Sequence, residues 1–145
     1  MKSDALWRIF SLFIRLRDTK DGYGRCCTCG KLIHYKDGHA GHFISRRHLN
    51  TKYDEKNVAL QCVGCNTYQQ GRQYEFSIYV DKRWGKGTAE ELLVKSRQLK
   101  KMTEFEVKEL IKEYKQKVND LLGNSNSQKG RTNQKSNPKT PKGAK

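Results

Sequence analysis

A chain of 145 residues with 34% hydrophobic side chains is the length of one small domain and is poor in core-forming residues. Thirty Lys and Arg against fifteen Asp and Glu give a net charge of +15, which gathers polyanions before any specific contact forms, so nucleic acid is the natural partner. No segment approaches about eighteen uninterrupted apolar residues, and Met1-Lys2-Ser3-Asp4 does not begin a signal peptide, so the cytosol is the expected location.

From Asp4 to Arg17 the apolar residues Leu6, Ile9, Phe10, Phe13 and Ile14 recur at three- and four-residue steps, predicting an amphipathic helix capped by Ser3 or Asp4. The turn Asp21-Gly22-Tyr23-Gly24 leads to Cys26-Cys27-Thr28-Cys29-Gly30. Leu32 to Tyr35 and His39 to Ile44 then read as short strands around an Asp37-Gly38 hairpin turn. Arg46, Arg47, His48 and Lys52 make the following loop basic enough to face phosphates, and Asn57 to Gln61 runs into a second Cys-x-x-Cys, Cys62 to Cys65, followed by Asn66.

Two Cys-x-x-Cys pairs about thirty residues apart have the spacing of two knuckles closing one tetrahedral site. Cys26, Cys29, Cys62 and Cys65 are therefore candidate Zn²⁺ ligands, and the ion would compensate for the small core. Neither the βαβ setting of a redox pair nor an oxidising compartment is indicated. Cys27 is left over as a small packing residue.

Beyond Asn66, Thr67 to Trp84 reads as helical, with Gln69-Gln70-Gly71 able to break it and start a second helix near Arg72. Thr88-Ala89-Glu90-Glu91 and Thr103-Glu104-Phe105-Glu106 are capping boxes that open two further helices. On the last, Val107, Leu110, Ile111, Tyr114, Val118, Leu121 and Leu122 form one stripe that suits either core or a dimer seam. Residues 1–122 are thus one folded domain. Residues 123–145, with six basic and no acidic side chains, read as a disordered basic tail that scans DNA.

His42, Asn57 and Asn66, set on the cysteine frame, resemble the layout of HNH-type ββα-metal nucleases. The phrases Ala40-Gly41-His42-Phe43, Tyr53-Asp54-Glu55-Lys56-Asn57-Val58, Gln61-Cys62-x-x-Cys65-Asn66 and Gly85-x-Gly87-Thr88-Ala89-Glu90 further resemble the phage lambda NinG (Rap) family of recombination endonucleases. The cysteine frame with its trailing Asn is also similar to the junction-resolving endonuclease of T-even phages. The resemblance implies an α+β fold, a small zinc-stabilised ββα-metal nuclease module flanked by an N-terminal helix and C-terminal helices. It also implies a phage protein working in the host cytosol, a metal-dependent DNA endonuclease that cuts branched DNA such as Holliday junctions or D-loops, with a homodimer suited to a junction's symmetry. Two departures are visible: a basic N-terminal region of the lambda protein has no counterpart here, and Gly41 stands where many HNH enzymes carry a metal-binding Asp.

On this reading His42 is the general base, Asn57 orients the attacking water, and Asn66 offers its amide oxygen to a catalytic Mg²⁺ or Mn²⁺. His39, which shares a strand face with position 41, is the candidate second ligand, with Asp37 as its rival. Arg46, Arg47 and Lys52 are the expected DNA contacts, and His34 and His48 are surface or supporting residues. A zinc-stabilised DNA-binding module with a decayed nuclease site, or an HNH nuclease with a base-sequence preference, are the alternatives.

Overall fold

The apolar spacing of the N-terminal segment forms a helix, α1 (Lys2–Arg17), in the computed structural model, which describes residues 2–135. Leu6, Phe10, Phe13 and Ile14 are its buried face. Strands β1 (Tyr23–Arg25), β2 (Leu32–His34) and β3 (His39–His42) follow, then a short helix α2 (Leu49–Lys52) and strand β4 (Val58–Gln61). A π-helical turn (Gly64–Tyr68) leads into α3 (Gln73–Trp84), α4 (Thr88–Ser96) and α5 (Glu104–Lys135).

The hairpin expected at Asp37-Gly38 does not form. β2 pairs antiparallel with β1, and β3 pairs antiparallel with β4, with His39 opposite Gln61 and His42 opposite Val58. Asp37 and Gly38 instead donate their backbone N–H groups to the His34 carbonyl, a local turn that hands the chain from one two-stranded sheet to the other. Strands this short cannot stand alone, so their pairing follows what covers them. All four residues of β4 are buried. Ala40 and Val58 face α1 and α5, Ala59 packs with Phe76, Val80 and Leu92 of α3 and α4, and Leu60 joins the cysteine knuckles.

The stripe on α5 is core. Tyr114 and Val118 are buried against α1, with Val107, Leu110, Ile111 and Leu121 partly buried beside them, while Leu122 stays half exposed. Of the two capping boxes, the one at Thr103 forms: Glu106 N–H donates to Thr103 Oγ1 at 3.1 Å and Thr103 N–H to the Glu106 carboxylate at 3.4 Å. The one at Thr88 does not, because the cap is Gly87 in the left-handed region and Asp81 Oδ1 accepts the Ala89 N–H instead. The predicted 67–84 helix divides at 69–72, as its Gln-Gln-Gly run suggests. α5 continues through Lys135, so the segment after Gly123, expected to be disordered, begins as helix; residues 136–145 of that expected tail lie outside the described residues.

The end of α1 is fastened to β4 by a buried ionic hub. Arg17 donates to both carboxylate oxygens of Asp18 at 2.8 and 3.0 Å and to the Glu55 and Val58 carbonyls, while Asp18 accepts the Leu60 N–H and the Arg83 guanidinium, each at 3.0 Å. Burial would raise the Asp18 pKa, but these donors and the two guanidinium charges outweigh it and hold the carboxyl below its ordinary value. The carboxylate therefore contributes stability that is complete above the unfolded carboxyl range and is lost as pH falls through its lower folded value. Removing one partner of a buried pair strands the other, so Asp18→Ala is expected to cost about 3 kcal/mol in urea denaturation at neutral pH, with the difference from wild type shrinking in acid.

Candidate functional site

Four cysteines reach one point from two ends of the fold. The sulfurs of Cys26, Cys29, Cys62 and Cys65 lie within 4.8 Å of one another, and Cys29 Sγ and Cys62 Sγ are 3.7 Å apart. Bonds of about 2.3 Å in a tetrahedron place sulfurs about 3.8 Å apart, so the cluster could hold a zinc ion without rearrangement. Cys26 is drawn down to about 6: its burial pushes the other way, but the Thr28 hydroxyl and neighbouring backbone N–H groups outweigh it. Burial raises Cys65 to about 12, so this thiol keeps its proton until a cation takes the proton's place. Cys27 points instead into the core beneath α3, as a packing residue should.

Beside the cluster lies a cleft of about 570 Å³ whose wall includes His39, His42, Arg46 and Asn66 together with Trp7 and Arg15 from α1 and Gly71 and Gln73 from the start of α3. No Asp or Glu lines it. The rival ligand Asp37 is outside, and so are Arg47, which is exposed, and Lys52, whose ammonium sits over the Tyr53 ring at 5.2 Å.

His42 is held on two sides. Its Nε2 lies 3.1 Å from the Lys52 carbonyl and its ring stacks on Trp7 with centroids 5.0 Å apart. A carbonyl can only accept, so Nε2 carries the proton and a neutral ring keeps its lone pair on Nδ1. Burial, with Arg46 and Lys52 charges adding to it, pushes the pKa down to about 4 despite the Lys52 carbonyl. His39 Nδ1 accepts from the Asn66 amide at 2.8 Å.

Asn57 is not in the cleft. Fully buried, it accepts the Ile44 N–H at 2.7 Å and donates to the Ile44 and Thr51 carbonyls at 3.0 Å each. Its amide is spent on closing the 44–57 loop, so it cannot orient a water directly. It acts instead on the backbone that carries the Lys52 carbonyl, and through that carbonyl on His42.

Sequence reasoning missed Trp7 and Arg15. Arg15 donates through Nε to Ser11 Oγ at 3.2 Å and through Nη1 to the Tyr35 carbonyl at 2.9 Å, and it is desolvated enough to lower its pKa. Helical periodicity identifies which side of α1 is buried and leaves the rim, where these two residues sit, unmarked.

The molecule is thus a mixed α+β protein whose four-cysteine cluster could hold zinc and whose cleft is basic and free of carboxylates. The chain belongs to the NinG family: the family model described as "Bacteriophage Lambda NinG protein" matches residues 2–123. It is also 31% identical over 110 residues to "Protein ninG" of Salmonella phage P22, an overlap of 75% of this chain and 52% of that protein. The chain thus spans about half the length of that curated relative. No solved structure matches it. Among the described residues no helix is long and apolar enough to cross a membrane.

Two measurements check the site. The His42 ring should titrate by NMR near pH 4, far below the ordinary value of about 6.5, and Trp7→Ala should move the midpoint upward by admitting water. Because the folded value lies below the unfolded one, the stability tied to the neutral ring is complete above about pH 6.5 and drains away as pH falls towards 4. For the cysteines, metal analysis should return one zinc per chain, and chelation should unfold the knuckles with loss of ellipticity; a metal-free chain that is fully folded would contradict it.

Proposed function

We propose that the protein is a metal-dependent DNA endonuclease of the ββα-metal type, working in this cleft on branched DNA. The observation that carries the reading is His42: a neutral imidazole whose Nε2 is committed to a carbonyl and whose Nδ1 is the one basic atom left, in a cleft that otherwise offers positive charge and no carboxylate. Strand β3 with this His, the long loop, strand β4 and the helical turn bearing Asn66 follow in the order that a ββα-metal module requires.

Hydrolysis of a phosphodiester needs a deprotonated water, charge to stabilise the phosphorane-like transition state, and a grip on the flanking backbone. His42 Nδ1 takes the proton from the water, and Lys52 stabilises the imidazolium that results through its carbonyl. Arg15 and Arg46, both on the cleft wall, are suited to grip the phosphate; Arg15 keeps unused N–H groups because its two internal bonds take only Nε and one Nη1 hydrogen. His39 and Asn66 are suited to hold Mg²⁺ or Mn²⁺. A flip of the Asn66 carboxamide presents Oδ1 where Nδ2 now lies, 2.8 Å from His39 Nδ1, close to the ~3.0 Å between two neighbouring ligands of an octahedral ion with bonds of about 2.1 Å. An ion bound there supplies Lewis acidity at the phosphate and the leaving oxygen.

Shape is the expected basis of selectivity, since the cleft offers phosphate-binding groups and, among the helices whose side chains are described, none presents a row of base-reading side chains. His42→Ala should lower nicking of plasmid DNA in Mg²⁺ or Mn²⁺ by a factor of roughly a thousand while DNA affinity and zinc content stay as they were. Arg15→Gln should weaken DNA binding by about tenfold. Competitive cleavage of a four-way junction against linear duplex with the same arm sequences, then with the sequences scrambled, separates shape from sequence. Binding without any cleavage in either metal would point to the DNA-binding module instead.

A further inference from the structure

Gln61, the last residue of β4, is fully buried. Its Nε2 spends both hydrogens, one on Thr28 Oγ1 at 3.0 Å and one on the Gly71 carbonyl at 2.8 Å. Because that carbonyl can only accept, the carboxamide has a single orientation and Oε1 faces away from it. Oε1 is buried and has no hydrogen-bond partner. A buried acceptor left unpaired is destabilising, and a nearby donor or cation would relieve it.

The surroundings say which. His39 is directly opposite Gln61 in the β3–β4 ladder, so the two side chains rise from one face of the sheet, and Gly41, two residues along β3, shares it. A Cβ at Gly41 would stand 2.1 Å from Oε1 and 3.0 Å from Cβ and Cδ of Gln61. The carboxamide thus occupies the room that residue 41 leaves by having no side chain. His39 in turn holds Asn66, and both line the cleft together with Gly71, whose carbonyl fixes the Gln61 amide.

We propose that Gln61 Oε1 is an oxygen ligand of the divalent cation held by His39 and Asn66, filling the coordination position that the absent side chain of residue 41 does not. This rests on the metal-dependent reading of the cleft. The chemistry is that of a hard or borderline ion, Mg²⁺ or Mn²⁺, which takes carboxamide oxygen readily and tolerates one imidazole. With three neutral ligands the protein leaves the ion's charge to be balanced by the DNA phosphate. Gly41 then has a defined duty: any side chain there would expel the ligand.

The test uses the full-length, zinc-loaded protein. In a Mg²⁺ titration followed by NMR of side-chain carboxamides, the Gln61 Cδ and Asn66 Cγ resonances should move together with one binding curve. Movement of Asn66 without Gln61 overturns the ligand assignment and leaves the metal site standing; no movement of either overturns the metal site and the assignment with it. In parallel, Gln61→Met should weaken Mn²⁺ binding, read from the EPR signal of free Mn²⁺, by roughly tenfold or more at unchanged zinc content, and an unchanged affinity would overturn the proposal. Should the Met variant fail to fold, the wild-type titration alone decides.

Discussion

Four sulfurs held within 4.8 Å of one another constrain this chain, because they bring together the two ends of the segment that carries every candidate cleft residue outside α1 and the 66–73 stretch. The three strands they enclose, with β1 just before Cys26, are three and four residues long and form two separate two-stranded sheets. Sheets of that size have no independent stability. Structural zinc in peptide modules contributes roughly 10–16 kcal/mol, as much as the whole stability of an ordinary domain, so an ion in this cluster is sufficient to hold what backbone pairing cannot.

The cleft is assembled from elements that are stabilised for other reasons. α1 is held by its apolar face and by the Arg17–Asp18 hub, and in docking there it brings Trp7 and Arg15 to the rim. β3 is held by β4 and by Ala40 in the core, and in pairing it carries His39 at its start and His42 at its end, both on the cleft wall. The imidazole of His42 shows why burial matters in so basic a molecule. Burial, to which the Trp7 stack contributes, does most to disfavour a protonated ring, and the Arg46 and Lys52 charges, part of the excess that attracts phosphate, add to it. Both effects favour the neutral form, so positive charge that would attract an anion also keeps this imidazole unprotonated.

What could be read from residues alone followed the range of the interaction. Cysteine spacing is a covalent-scale signal and located the cluster; the 3.6-residue period located α1 and the core stripe of α5; the Thr103 box located a helix start to the residue. The Asp37-Gly38 turn gave a local hairpin signal that the tertiary pairing overrode, because the partner of β3 is chosen by the cover that α1, α3 and α4 give to β4. Asn57 was expected to orient a water, but nothing in a residue type reveals that all its hydrogen bonds go to a loop's backbone.

The backbone after Cys62 shows how adjacent residues serve different sites. In the turn that follows β4, Cys65 faces the sulfur cluster and Asn66 faces the cleft. The π-helical turn that carries them is succeeded by Gln70, Gly71 and Arg72 in the left-handed region, with φ of 55°, 88° and 48°, two of them residues that pay of order 1–3 kcal/mol for it. Such strain persists only where neighbours over-determine the chain. Here the Gly71 N–H donates to the Cys65 carbonyl, the Gly71 carbonyl accepts from Gln61, and Gln61 reaches Thr28 and through it Cys26 Sγ. The cluster therefore fixes Asn66 twice, through the chain that joins it to Cys65 and through the hydrogen-bonded path that locks Gly71 behind it. Loosening the sulfurs would release the strained loop and the cleft wall together.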